Sequence, residues 1–247
     1  MLWYKSWLET QHWFFLGMML LAAQVIALYV AYPMDPVTSY PNGALGVLPS
    51  EMARIRTGDF RAYVWVRWFS TTMLLFWPVY VIALAGTGFE VSGGREFLLS
   101  LPVTRRRIAL TRLAVVFAQI AAFTILPSLL LSAMAPLRGQ HYPVQDALVH
   151  SLILLGSGVG LFGLTMFLRS VMKNDVAAYT SAGALVVMCM LFTFVAKDFT
   201  PYSILRVMNG ADYFFDHRMP WTGLTFSAAV GCALIAWSVR AIERRDF

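Results

Sequence analysis

The side chains able to carry chemistry are few and scattered along this 247-residue chain. Four histidines, His12, His141, His150 and His217, stand far apart. Cys189 and Cys232 each sit inside an apolar run. A disulfide or metal site would need partners that are absent, so buried free thiols are expected. The one close grouping of acids with an imidazole is Asp198, Asp212, Asp216 and His217. It could form an acid–base set for a lipid-linked substrate at a membrane surface, but solvation of a polar loop explains it more simply. His150 lies at the start of an apolar run and is expected to hydrogen bond at interfacial depth. A proton relay would need a carboxylate partner that no apolar run supplies. No G-x-x-x-x-G-K-[ST], H-E-x-x-H or G-x-S-x-G occurs, so the chain is expected to hold no ATP, no metal and no hydrolytic nucleophile of its own.

Composition says where these side chains must sit. Charged residues make up 13% of the chain and hydrophobic residues 59%, and mean hydropathy is +0.65. Ordinary soluble domains carry about 25% charge. The apolar residues are clustered, which excludes a soluble globular reading and points to about six membrane spans. The net charge of +6 then reads as basic loops on the cytoplasmic side and not as a nucleic-acid surface.

The longest charged interruption between apolar runs is EVSGGREFLLSLPVTRRRIALTR, Glu90 to Arg112. Ser92, Gly93 and Gly94 are turn residues. Phe97, Leu98 and Leu101 share one side of a short amphipathic helix, with Arg95, Glu96 and Ser100 towards the other. Pro102 ends that helix, and Thr104 suits the N-cap of the next. Arg105, Arg106 and Arg107 then crowd a first helical turn, where the dipole disfavours cations by about 0.3–1 kcal/mol each. Either anionic lipid headgroups, at about 1 kcal/mol per arginine, or an acidic groove on a partner protein would offset this.

The run REFLLSLPVTRRRIALTR resembles the cytoplasmic loop between the second and third membrane helices of type 2 ATP-binding-cassette (ABC) exporter permeases. Those carry a similar E-x-LLSLPV-[ST]-R pattern. The ending Ile242-Glu243-Arg244-Arg245-Asp246-Phe247 is similar to that family's short basic tail. The resemblance implies an all-α polytopic membrane subunit that is not an enzyme by itself. It implies docking of a short coupling helix, through Glu90, Arg95, Glu96, Phe97, Leu98, Leu101 and Arg105, on a separate ABC ATPase present in two copies. That partner would bind the ATP and Mg. A second permease, identical or similar, would complete the path. In the family the first, second and fifth spans line that path, which here implies Gln24, Thr72, Phe76, Met188 and Phe192 and an amphipathic or lipid-like substrate.

The rest of the chain is expected to form one transmembrane domain. An interfacial lead-in covers residues 1–12, with Trp3, Trp7 and Trp13 at headgroup depth; a cleavable signal peptide is not expected. Spans are expected at about 13–32, 69–89, 113–137, 147–168, 176–196 and 221–239, none containing Asp, Glu, Lys or Arg. The absence of intramembrane charge argues against an ion-driven secondary transporter. Pro78 and Pro127 should kink the second and third spans. Glu51 to Arg67 reads as an amphipathic helix on the membrane surface, or else as a prolongation of the second span. Gly156 and Gly160 form a G-x-x-x-G, a face for close packing of another helix. Residues 197–220 read as short interfacial or re-entrant pieces around Asn209-Gly210. An even number of spans puts both termini on one side, with eleven Lys and Arg there against eight on the other. That places the termini in the cytoplasm and the chain in a cell membrane, by resemblance a bacterial one.

Overall fold

The computed structural model describes residues 2–32, 51, 54–55, 59–87, 104–172, 175–195 and 204–243. They are helical, with no strand among them. The elements are α1 (Leu2–Ala31), α2 (Phe60–Val64), a π-helical stretch (Trp65–Met73), α3 (Leu74–Thr87), α4 (Arg105–Met134), α5 (Val144–Val171), α6 (Asp175–Val195), α7 (Ile204–Asn209), α8 (Ala211–Asp216) and α9 (Trp221–Glu243). A 3-10 turn, Ala135–Arg138, closes α4. Five helical stretches are long and apolar enough to cross a membrane: Leu2–Ala31, Phe60–Ala85, Arg106–Arg138, Val144–Val171 and Trp221–Ala241. By length and composition these helices point to a helical membrane protein.

Helix boundaries differ from expectation at two places, each for a local reason. The interfacial lead-in is continuous with the first span, because no proline or turn residue interrupts Leu2 to Ala31. The second helical stretch starts at Phe60 and not at position 69. Asp59 caps it, its side chain accepting from the Arg61 amide at 2.9 Å, so positions 60–67 prolong the span instead of lying on the surface. The third starts at Arg105, behind an N-cap at Thr104, as expected. Pro78 and Pro127 are accommodated inside α3 and α4. The π-helical stretch widens the turn just before Pro78, and its extra room is used by two hydroxyls. Thr71 donates to the Val66 carbonyl at 2.9 Å and Thr72 to the Arg67 carbonyl at 2.7 Å, each five residues back.

The core is built from aromatics, and its buried indoles find acceptors. Trp65, Trp68, Trp77, Phe69, Phe123 and Phe162 are fully buried. A buried indole N–H needs an acceptor. Trp68 donates to Ser128 Oγ at 3.2 Å and Trp77 to Thr124 Oγ1 at 2.7 Å. The Trp77 ring occupies the space where a side chain at Gly158 would stand.

Contacts fix the helix directions. Phe14 meets Phe123, and Thr10 meets Gln119, so α1 and α4 run parallel. Tyr63 reaches the Leu28 carbonyl, so the second stretch runs against α1. Ser151 bonds the Thr124 carbonyl while Phe117 meets Phe162, so α5 runs against α4. Gly156 faces Leu224, Gly160 faces Ser227 and Gly163 faces Gly231, so α9 runs parallel to α5. α1 therefore begins, and α9 ends, at one end of the bundle, called here the terminal end. α7 and α8 sit at the opposite end. Cys232 is free and exposed on the outer face of α9, not buried as expected, because that helix turns only its small-residue side to α5. Cys189's side chain lies outside the described residues.

The α5–α9 contact is tight enough to test. A Cβ on Gly163 would stand 2.5 Å from the Gly231 carbonyl oxygen, whereas one on Gly183 would meet nothing within 4 Å. Gly163→Ala is expected to destabilise by about 1–3 kcal/mol through overpacking, and Gly183→Ala to be neutral or to stabilise by up to about 1 kcal/mol. Unfolding in mixed micelles measures both.

Candidate functional site

Two regions carry the charged residues, one at each end of the bundle. At the terminal end, α3 stops at Thr87 and α4 begins at Arg105. Thr104 is the N-cap with φ −63° and ψ 140°, but its hydroxyl makes no capping bond. Its carbonyl takes the amides of Arg107 at 2.9 Å and Ile108 at 3.2 Å. The side chains of Arg106 and Arg107 are exposed. Deeper on α4, Arg112 is buried and pairs with Glu9 of α1 at 3.0 Å. Gln119 donates to Thr10 Oγ1 at 2.7 Å. These two bonds tie the root of α4 to the root of α1. Arg169 sits in the last turn of α5, where the dipole favours a cation, with its guanidinium over the Tyr179 ring at 5.5 Å. The expected docking residues Glu90, Arg95, Glu96, Phe97, Leu98 and Leu101, and the side chain of Arg105, lie outside the described residues.

The residues suggested for a path are spread over the outer surface of the bundle. Gln24 is exposed on α1, Phe76 is 44% exposed on α3, and Met188 is 65% exposed on α6. Thr72 is half-buried and spends its hydroxyl on the Arg67 carbonyl. The side chain of Phe192 lies outside the described residues. Gly156 and Gly160 face α9: Gly160 N–H donates to Ser227 Oγ at 3.1 Å, and that hydroxyl in turn donates to the Ser157 carbonyl.

The opposite end holds an ionic cluster that the sequence did not reveal. Arg206 of α7 forms a two-pronged bond with Glu51 at 2.6 and 2.8 Å and reaches Asp212 of α8 at 2.8 Å. The bonds to Glu51, with Asp212 behind them, hold the guanidinium's pKa above its ordinary value despite its burial. Arg61 of α2 pairs with Asp146 of α5 at 2.6 Å and lies over the Phe214 ring. Arg54 reaches Asp216 at 3.5 Å in the open. His150 is buried beneath them. Its Nδ1–H donates to the Asp146 carbonyl at 2.8 Å, and its ring stacks on Phe69 at 4.8 Å. Gly210, at φ +67°, covers the imidazole, and a Cβ there would stand 3.0 Å from its ring. Burial, with the Asp146 carboxylate adding to it, pushes the phenols of Tyr142 and Tyr213 above the ordinary range.

Chemically this cluster is a clamp. Among the described residues no group of three or more His, Cys, Asp or Glu is placed to hold a metal. Of the acids suggested as an acid–base set, Asp212 and Asp216 are both engaged by arginines, and Asp198 lies outside the described residues. One signal was available in the sequence: mixed charges in Glu51-Arg54-Arg56-Asp59-Arg61 and in Arg206-Asp212-Asp216-Arg218 flank apolar runs that an even topology puts on the same side. Compared with known proteins, the chain matches no protein-family model, no curated protein and no solved structure.

The clamp makes a graded prediction. Arg206→Met leaves Glu51 buried beside Asp212 and is expected to cost about 3–5 kcal/mol. The double variant Glu51→Gln with Arg206→Met should recover most of that loss. Arg54→Ala, at an exposed pair, should change stability by no more than about 1 kcal/mol. A double-mutant cycle of unfolding in micelles reads all three.

Proposed function

We propose that this chain is the membrane permease subunit of a type 2 ABC exporter, working with a separate ATPase chain. The observation that carries this reading is the string REFLLSLPVTRRR between the second and third apolar helices. Three further features support it. The helix directions put both ends of that linking stretch, Thr87 and Arg105, at the terminal end of the bundle, beside the start of α1. Among the described residues, Arg61 and Arg112 near the ends of their membrane stretches are paired with Asp146 and Glu9, which fits a subunit that draws its energy from a partner. α6, whose apolar part Val176–Met188 is shorter than the five long stretches, would in this reading supply the sixth crossing, between the end of α5 at the terminal end and α7 at the opposite end.

In this reading the cytoplasm lies at the terminal end. The arginines at 54, 61 and 206, which weaken the charge asymmetry, have partners in the fold and so another reason to be where they are. Two ATPases dock on the helix around Phe97, Leu98 and Leu101, with Arg105 beside it. Their closure on ATP and Mg pushes that helix and tilts α3 and α4. The path forms between this chain and a second permease, identical or similar, along the outer faces that carry Gln24, Phe76 and Met188. An apolar lining of that kind suits an amphipathic or lipid-like substrate. An enzyme acting on lipid-linked substrates is the weaker reading, because two of its three candidate acids are held in ion pairs.

Two experiments test this. A cysteine at Thr104 should react with a membrane-impermeant maleimide only after cells are opened, and one at Leu137 should react in intact cells; the reverse pattern would contradict both topology and docking. Burial of a Leu or Phe side chain contributes about 1.5–3 kcal/mol. Phe97→Ala with Leu101→Ala should therefore reduce ATPase co-purification at least tenfold while the permease stays folded. Undiminished co-purification would remove this helix from the interface.

A further inference from the structure

A groove of about 430 Å³ runs between α1 and α4 on one flank of their contact, starting near the terminal end. Its volume falls within the range of small-molecule pockets, about 300–1,000 Å³. Trp3 and Trp7 stand at its shallow end, Phe14 lies deeper, and the small side chains of Ala118 and Ala122 leave the space open. From Trp3 to Phe14 it covers about 16 Å at about 1.5 Å per residue, close to half of the roughly 30 Å hydrocarbon core. Its shape therefore suits one extended apolar chain entering from the headgroup layer.

One wall residue asks for more than an alkyl chain. Gln119 is 2% exposed. Its amide N–H is taken by Thr10 Oγ1, whose own hydroxyl proton goes to the Ser6 carbonyl at 3.1 Å. Gln119 Oε1 is left buried without a hydrogen-bond partner. An amide oxygen without a donor is costly in an apolar setting, and buried polar atoms nearly always find one. An acyl chain has none to offer, while a hydroxyl or N–H part-way along such a chain does.

We propose that the α1–α4 groove binds a single-chain amphiphile bearing a hydroxyl or N–H donor within its apolar body, with Gln119 Oε1 as the acceptor. The site stands independently of the transport reading, and its failure would leave that reading untouched. Oleate and ricinoleate are suitable probes, since they differ by one mid-chain hydroxyl. The full chain in micelles is titrated with each and read by native mass spectrometry. Ricinoleate is expected to bind about tenfold tighter, the ratio that one neutral hydrogen bond supplies. Gln119→Leu should bring ricinoleate down to the level of oleate and leave oleate unchanged; Gln119→Met is the second variant should the first fail to fold. Ala122→Phe, or Ala118→Phe, fills the groove and should weaken both probes at least tenfold. Equal affinity of the two probes for the natural chain would overturn the assignment of Gln119, and undiminished binding in both groove-filling variants would overturn the site.

Discussion

Water is missing from the middle of a membrane, so every polar group there must find its partner within the protein, and every charge must be paired or sit at an end. Most of the described buried polar groups obey that constraint, and Gln119 Oε1 is an exception. The indoles of Trp68 and Trp77 are held by Ser128 and Thr124. The hydroxyls of Ser151 and Ser227 go to carbonyls of neighbouring helices. Thr71 and Thr72 fill the wide turn of the π-helical stretch. Charge is confined to two layers: Glu9 with Arg112 at the terminal end, and Arg206, Arg61 and Arg54 with their acids at the other.

These layers give the molecule a mechanical division. The clamp around Arg206 ties the segment before α2 to α7 and α8, and Trp65 adds a bond to the Asn209 carbonyl at 2.9 Å. Short helices that would otherwise hang on a loop are thereby fixed to the end of the second span. At the terminal end, among the described residues, Glu9–Arg112 and Thr10–Gln119 tie α1 to α4, and Arg169 of α5 lies over Tyr179 of α6. Arg106 and Arg107 remain exposed there, next to the linking stretch. A push on that stretch would reach α3 and α4 directly, while the far end stays pinned. That arrangement suits a subunit moved from one side by a partner.

Much of the fold was legible because apolar runs of membrane length are a strong signal. The five long apolar helices overlap five of the six expected spans, while the one expected at 176–196 is a shorter apolar helix over Val176–Met188. Boundaries were less legible. Glu51 to Arg67 reads in the sequence as a surface helix or a prolongation of the second span, and from Phe60 on it is the latter, with Arg61 neutralised by Asp146, a residue far away in sequence. The ionic clamp escaped for the same reason: the partners Glu51 and Arg206 are separated by most of the chain, and periodicity says nothing about such pairs. His150 was expected to hydrogen bond, and it does, but its place under Gly210 depends on a left-handed turn that only the assembled end reveals. The suggested path residues were chosen by resemblance. The geometry puts Gln24, Phe76 and Met188 on outer surfaces, where only a second chain, a substrate or lipid can meet them.

The central claim is that the segment around Phe97 contacts an ATP-hydrolysing partner, and site-specific photo-cross-linking tests it most directly. A benzophenone amino acid at position 97, irradiated in intact cells that make the chain, should yield one dominant protein adduct. Mass spectrometry of that adduct should return peptides of a separate chain containing a G-x-x-x-x-G-K-[ST] phosphate loop. Adducts confined to lipid, or to this chain itself, would contradict the account.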